Sequence, residues 1–517
     1  MPDPSGPRPT PPVPRPTSHV PRPTPPVLGS TRAASAAFQA RARAAIADTR
    51  LAQALSVTTT RLADGRTRAI GSLPDADAVR DRARQIRAHT IAHLDQYLEQ
   101  FVNEAERRGC KVHWAETAEA ACRIVVDIAH REGISLAVKS KSMVSEEIAL
   151  NAALDAAGIR VVETDLGEFV VQVAGDRPSH IIAPIVHWRR EDVARLFREK
   201  LGASGDDVRD VPAITAFARR TLRDSFLRAG MGISGVNMAV AESGSLCLVT
   251  NEGNGRLTTT APRVHVALLG LERIVPTAAD LGVVLQVLAR SATGQILSVY
   301  TNIMTGPRRH PATGRAADAS RIAESDGPDH LHIVIVDNGR SRLLGTSLAE
   351  ILYCIRCGAC LNICPVYRHI GGHAYDSVYP GPIGSVVTPG LFGVETAADL
   401  PHASSLCGAC RDVCPVRIDL PHLLLELRAE TARRGIGPFW LRAGIALFAA
   451  LATHPAWYRA AGRVAGHLAS VFARNGQLTR LPGPLAGWTA SRNLRAPVTR
   501  SFVERWHATR RGNGGGV

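Results

Sequence analysis

The sequence predicts an α/β domain followed by a small helical module built on cysteines, and three observations predict it. Helical and strand-like apolar periods alternate from about residue 110 to 345. Two cysteine runs, 354–364 and 407–414, follow directly. The 517 residues are 45% hydrophobic and 21% charged, which supplies a large core and excludes a wholly disordered or fibrous chain.

In chain order, residues 1–35 repeat Pro-Arg-Pro-Thr at Pro7, Pro14 and Pro21 and read as a solvated, extended tail. Residues 36–110 are helical, with apolar positions Ile86, Ile91, Leu94, Leu98 and Phe101. Residues 111–345 form the α/β domain. Ala118, Ala121, Cys122, Val125 and Ile128 mark a helix face, and Leu136–Val138 is a strand. A helix follows, with Ser145 as N-cap, Glu146 and Glu147 in its first turn and Gly158 past its end; Ile159–Glu163 closes a β-α-β unit. Further strands are expected at Phe169–Val173, His180–Val186, Met238–Ala241, Leu246–Thr250, Val264–Leu269 and His332–Val336. Residues 346–430 are the cysteine module, and 431–517 a basic, Trp-bearing extension.

The formal charge of +15 is uneven. Residues 421–517 hold 14 Arg against Glu426, Glu430 and Glu504, a net of +11, so the first 420 residues carry +4. Trp440, Trp457, Trp488 and Trp506 accompany these cations, a mixture suited to a membrane surface or an acidic partner. No nucleic-acid motif accompanies the charge. The start lacks an apolar core after a basic stretch, and the most apolar run, Phe439–Thr453, is short and contains Arg442. A cytoplasmic setting follows, in which cysteines bind metal rather than pair as disulfides.

Cys354-x2-Cys357-x2-Cys360-x3-Cys364-Pro365 presents three thiolates from one short loop to three corners of an iron–sulfur cube, while the fourth points to a second cluster. Structural zinc asks for two separated pairs instead. The second run, Cys407-x2-Cys410-x3-Cys414-Pro415, repeats the pattern with Ser404 where its first cysteine belongs. Crossover then assigns Cys354, Cys357, Cys360 and Cys414 to one cluster and Cys364, Cys407 and Cys410 to the other. The second centre is either a three-iron cluster or a four-iron cluster whose last iron is held by Ser404, water or a partner. Cys110, Cys122 and Cys247 read as core residues.

Lys139 and Lys141, two of only four lysines, join a strand end to a helix start, where free N–H groups and positive charge suit a carboxylate or phosphate. Gly230-x-Gly232-x-x-Gly235 lacks the preceding strand of a dinucleotide site and reads as a helix stop and turn. Asn237, Glu242, Ser243, Asn251, Glu252, Asn254 and Arg256 crowd two apolar strands, and Asn254-Gly255 suggests a tight turn. Glu163, Asp165 and Glu168 add acids, and His180 and His187 lie at the next strand's ends, so a cleft is expected there. Lys139, Lys141, Glu242, Asn251 and Arg256 are its substrate candidates.

At Lys139–Met143, Glu163–Glu168, Pro178–His180, Gly235–Gly244, Asn251–Arg256, Gly306–Arg308, Asp337–Arg340 and both cysteine runs, the chain resembles the lactate utilization protein B family, over about residues 40–460. The resemblance implies a lactate-utilization domain of isomerase/CoA-transferase-like α/β fold followed by an α-helical ferredoxin-like two-cluster module. It implies two iron–sulfur clusters of 4Fe-4S type, and an electron-transfer role in oxidising L-lactate to pyruvate. It also implies two companions, a cysteine-rich redox subunit and a smaller relative of the α/β domain. The family resembles succinate-dehydrogenase iron–sulfur subunits in its two-cluster module, and has Ser at the position of Ser404. Two rivals stand beside this. Either the α/β domain itself binds and oxidises a 2-hydroxy acid, with Lys139 and Lys141 gripping its carboxylate, or the chain is a non-enzymatic redox-sensing scaffold.

Overall fold

The computed structural model describes residues 31–308, 327–437 and 439–512. The Pro-rich repeats at 1–30 lie outside these. The described chain divides into two compact units, one ending at Ile436 and one beginning at Gly437.

The first unit opens with four helices, Thr31–Ala47, Thr49–Gly71, Ala76–Ala92 and Leu94–Arg107. The apolar positions expected to face inward do so: Ile86, Ile91, Leu94, Leu98 and Phe101 are all buried. A six-stranded, all-parallel sheet follows. Its strands are β1 (Lys111–Ala115), β2 (Leu136–Lys139), β3 (Arg160–Glu163), β4 (Met231–Gly235), β7 (Val264–Gly270) and β10 (His330–Val336), in the order β1-β10-β7-β4-β2-β3. Every residue of β7 is buried, as expected of a central parallel strand covered on both faces. A smaller sheet of β5 (Met238–Val240), β6 (Ser245–Thr250), β8 (Ile274–Val275) and β9 (Tyr300–Met304) runs in the order β8-β5-β6-β9.

Several local expectations are corrected. Ser142, not Ser145, caps the helix after β2: its Oγ accepts from Ser145 N at 3.2 Å, and a left-handed Ala149 splits the segment into Met143–Glu147 and Leu150–Ala156. Phe169–Val173 is not a strand but lies in the helix Leu166–Ala174. Asp165 caps that helix by accepting from Gly167 N and Glu168 N, and Gly175 ends it at φ 68°. A buried apolar run is ambiguous by period, and the caps decide it. His180–Val186 is a loop. Its His180 Nδ1 accepts from Ile182 N and Ala183 N, which withdraws them from any ladder. Gly230–Gly235 is largely the strand β4 rather than a turn. A Cβ on Gly232 would lie 1.8 Å from the Thr258 carbonyl oxygen, so glycine here lets a helix press against the strand. That helix is Asn254–Thr260, which replaces the expected tight turn at Asn254-Gly255.

The cysteine module is a set of short helices, Ala359–Ile363, Pro365–Ile370, Gly381–Phe392, Ala409–Asp412 and Leu420–Arg433. It shares one hydrophobic core with the N-terminal helices and one side of the α/β domain, from Leu55 and Phe101 through Ile333 to Leu424. Helix Thr49–Gly71 packs on both the module and helix Ala278–Ala292, and so joins the two halves.

The second unit begins with helices Phe439–Ala452 and Pro455–Phe472, packed on each other. The first of these buries no residue, and Phe439, Ile445, Leu447 and Phe448 are exposed. Among the described residues no helix is long and apolar enough to cross a membrane.

Candidate functional site

The two cysteine runs fold alike. In the first, Arg356 (φ 58°) and Gly358 (φ 74°) take left-handed backbone, two and four residues after Cys354. In the second, Leu406 (φ 54°) and Gly408 (φ 86°) do so two and four residues after Ser404. These turns aim backbone N–H groups at the sulfur positions, which suits an anionic cluster. Arg356 N donates to Cys354 Sγ at 3.4 Å, and Leu406 N donates to Ser404 Oγ at 3.1 Å. Each run ends on a cysteine that accepts from the backbone beyond it: Cys364 Sγ from Tyr367 N at 3.5 Å, and Cys414 Sγ from Ile418 N at 3.3 Å. Pro365 occupies the first turn of the helix after Cys364, where no N–H is needed.

Cys354, Cys357 and Cys360 of the first run and Cys414 of the second line one cavity, walled by Ile355, Ile383, Val416, Ile418 and Leu420. Burial, with the neighbouring cysteines adding to it, pushes the thiols of Cys357 and Cys414 up to about 12 and about 11. A thiolate is disfavoured there unless positive charge meets it. Cys364, Cys407 and Cys410 form the second set: Cys364 and Cys410 are buried, Cys407 is exposed, and each buried member is raised by burial first and by its partners second.

Whether these surroundings fit an anionic, sulfur-rich group is tested by the donors around them. Arg66 Nε, Arg80 Nε and Arg356 Nη1 are buried without a hydrogen-bond partner, as is the Tyr375 hydroxyl. Arg66 and Arg80 lie close enough to Cys414 to feel its charge, Arg356 feels that of Cys354, and Tyr375 those of Cys364 and Cys360. Buried donors without acceptors are rare, and for Arg356, which lines the cavity, sulfur atoms there would supply one. The residues fit iron–sulfur clusters.

The substrate candidates fare differently. Lys139 is buried with its charge already answered, its Nζ lying 2.9 Å from Glu163 Oε1, 3.3 Å from Glu146 Oε1 and 3.0 Å from Ser145 Oγ. Its expected grip on a carboxylate is therefore not available. Lys141 stands 3.7 Å from Glu168 Oε1, and its Nζ is buried without a hydrogen-bond partner, as is Ser140 Oγ beside it. Burial holds the Glu168 carboxyl up to about 8 despite Lys141. Glu242 accepts from Ala278 N at 2.6 Å and Asn251 Oδ1 from Val299 N at 3.1 Å; both tie down loops of the small sheet. Arg256 is exposed on helix Asn254–Thr260.

His180 gains a role that its place in the sequence does not suggest. With its Nδ1 accepting two backbone N–H groups, its Nε2 carries the proton and donates to Asn362 Oδ1 at 3.1 Å, between Cys360 and Cys364. Burial and then Lys141 lower it to about 3, so it stays neutral. His180 and Asn362 thus tie the loop after helix Leu166–Ala174 to the cysteine loop. Asp176, His187 and His373 also meet, but their facing atoms are already bonded. His187 Nε2 donates to Asp176 Oδ2 at 2.8 Å, and His373 Nε2 to the Arg177 carbonyl at 2.7 Å. Arg66 and Arg80 come from the N-terminal helices, and nothing in an arginine-rich sequence distinguishes them.

Two domain families match the chain: the LUD domain over residues 98–336 and the 4Fe-4S dicluster domain over 350–418. The chain is 42% identical over 473 residues to "Uncharacterized electron transport protein YkgF" of Escherichia coli (strain K12), covering 92% of this chain and 97% of that one. It is 43% identical to lactate utilization protein B of Shouchella clausii, covering 93% of this chain and 98% of that one. It is 44% identical to that of an Exiguobacterium species, covering 92% and 98%. A solved DUF162 family protein from Deinococcus radiodurans aligns with 47% of this chain and 98% of its own at 14% identity and a TM-score of 0.26, too slight a likeness to carry an argument. With an α/β LUD domain, a 4Fe-4S dicluster module and relatives of this identity along nearly their whole lengths, the chain belongs to the lactate utilization protein B family.

Proposed function

We propose that the chain is the iron–sulfur electron-transfer subunit of a system that oxidises L-lactate to pyruvate. The observation that carries this reading is the convergence of Cys414 with Cys354, Cys357 and Cys360 on one cavity, although Cys414 lies 54 residues after Cys360 in the sequence. In this reading those four thiolates would hold one cluster and Cys364, Cys407 and Cys410 the other, with Ser404 standing where a fourth ligand would be. Bound clusters of this kind accept and release single electrons. The chain's residues hold that chemistry in place: apolar walls exclude water, the left-handed turns present N–H donors, and the buried arginines offset thiolate charge.

Lactate oxidation releases two electrons and two protons, so the two-electron step belongs to a flavin or a partner's redox centre. The partners are a cysteine-rich redox subunit and a smaller LUD-domain subunit. A contact with an acidic partner or a membrane surface belongs to the C-terminal unit, whose exposed Trp440, Trp457, Trp488 and Trp506 accompany its arginines. Lactate should bleach the visible absorbance of the anaerobic chain only when the partners are present; bleaching by the chain alone would contradict the reading.

A second reading, that the α/β domain itself takes the 2-hydroxy acid, is favoured by Lys141 Nζ and Ser140 Oγ just past the end of β2, both buried without a hydrogen bond although Glu168 lies 3.7 Å from Lys141. Lactate titration of Lys141→Ala separates the two, since unchanged affinity removes the second reading.

A further inference from the structure

Positive charge is divided unequally between the two cysteine sets. Five arginines from four stretches of chain stand around Cys354, Cys357, Cys360 and Cys414. Arg66 Nη2 donates to the Val413 carbonyl at 2.6 Å, and Arg80 Nη2 to the carbonyls of Asp412 at 2.6 Å and Cys414 at 2.9 Å. Arg87 Nη2 holds the Leu352 carbonyl at 2.9 Å, Arg273 Nη1 holds the Cys354 carbonyl at 3.1 Å, and Arg356 lies within the run itself. Three of the five keep a buried N–H group without an acceptor.

Their charges are only partly answered by carboxylates. Glu272 lies 3.8 Å from Arg273 and 3.7 Å from Arg356, and also serves Arg340, while Asp77 lies 3.2 Å from Arg80. Among the described residues no carboxylate pairs with Arg66. Around Cys364, Cys407 and Cys410 the cations are fewer and none of them is buried, whereas Arg80, Arg87, Arg273 and Arg356 are. Arg368 Nε donates to the Asn362 carbonyl at 2.7 Å, and Arg428 to the carbonyls of Pro401 and Ser404 at 2.9 and 3.1 Å. Arg411 is half exposed and faces Asp412 and Asp419. Cys407 is open to solvent, which screens what charge there is.

Reduction adds one negative charge to a cluster. Fixed cations and hydrogen bonds to sulfur stabilise the added charge, whereas a low-dielectric surrounding opposes it. At the first set both effects operate, but the low dielectric also strengthens the attraction of each buried guanidinium.

We infer that the arginine-ringed set, Cys354, Cys357, Cys360 and Cys414, holds the more readily reduced cluster, that Arg66 and Arg80 establish this order, and that electrons pass inward from the exposed Cys407 side. In each pass the outer cluster is oxidised by one electron and the inner reduced by one, with no bond made or broken and no proton needed. The inference rests on the reading that the two cysteine sets hold two clusters.

Anaerobic potentiometric titration of the holo chain, followed by electron paramagnetic resonance, tests it. The outer cluster is identified as the signal whose relaxation an added paramagnetic chelate quickens. The signal insensitive to the chelate should titrate at the higher potential. In Arg66→Gln its reduction constant should fall at least tenfold, 59 mV for one electron, with the other signal unmoved, and Arg66→Lys should restore most of the loss. A chelate-insensitive signal at the lower potential in the unaltered chain would overturn the inference without any variant, as would Arg66→Gln with the potential of that signal unmoved. A preparation without two signals would instead refute the two-cluster reading itself.

Discussion

Ser404 holds in the second cysteine run the place that Cys354 holds in the first. Ser404 Oγ accepts from the N–H two residues on at 3.1 Å, as Cys354 Sγ does at 3.4 Å, and left-handed residues follow each at the same two offsets. The backbone for a fourth ligand is therefore built, and only the ligand atom differs. Ser404→Cys should give an outer centre with a complete thiolate set, without loss of fold. Iron analysis and resonance spectra of the two proteins check this; unchanged spectra would show that position 404 does not face the iron.

Cys414 belongs to the second run in sequence and to the first cavity in space. Cys414→Ala should abolish the inner, chelate-insensitive signal and spare the outer one. Cys364→Ala, one residue before Pro365 of the first run, should do the reverse. Loss of the sequence-local cluster in either variant would refute the crossover.

Arg340 is buried between Glu147 and Glu272, with Nη2 at 2.8 Å from Glu147 Oε2 and Nε at 2.7 Å from Glu272 Oε2. Tyr379 adds its hydroxyl to Glu147. Arg340→Met leaves two buried carboxylates short of their partner and should cost about 3–5 kcal/mol in denaturant unfolding. Burial alone would raise the Glu272 carboxyl, but Arg340, Arg273 and Arg356 outweigh it and hold the group at about 2. Its contribution to stability is thus present above its ordinary value near 4.5 and is lost as pH falls toward 2. In Arg340→Met this acid-side loss should be smaller.

His265 is buried against Ser234, its Nε2 2.8 Å from Ser234 Oγ, and burial followed by His332 lowers it to about 3. Unfolding lets it take a proton near its ordinary 6.5, so its share of stability is full above that value and falls toward pH 3. The stability of His265→Gln relative to the unaltered chain should therefore rise as pH drops from 7 to 5, by up to about 1.4 kcal/mol per pH unit. A gap independent of pH would count against a neutral, buried His265.

Much of this was legible in the sequence because it depends on spacing. The helix face at Ala121, Cys122, Val125 and Ile128, the strands β6, β7 and β10, and the crossed cysteine runs follow from local period or motif. The apolar run 169–173 fits strand and helix alike, and Asp165 decides for helix by capping it, whereas at 180–186 the ring of His180 takes two backbone N–H groups and leaves a loop. Lys139 looked like a ligand-binding residue because Glu163, which pairs with it, sits on a neighbouring strand. Arg66 and Arg80 lie more than 270 residues before Cys354, and only the packing of the N-terminal helices on the module brings them to it.

The most direct measurement is iron and acid-labile sulfide quantitation on the chain purified under strict anaerobiosis, read beside its reduced resonance spectrum. Two centres predict about seven to eight iron atoms per chain and two interacting signals. A colourless protein with zinc or no metal at these cysteines would contradict the account.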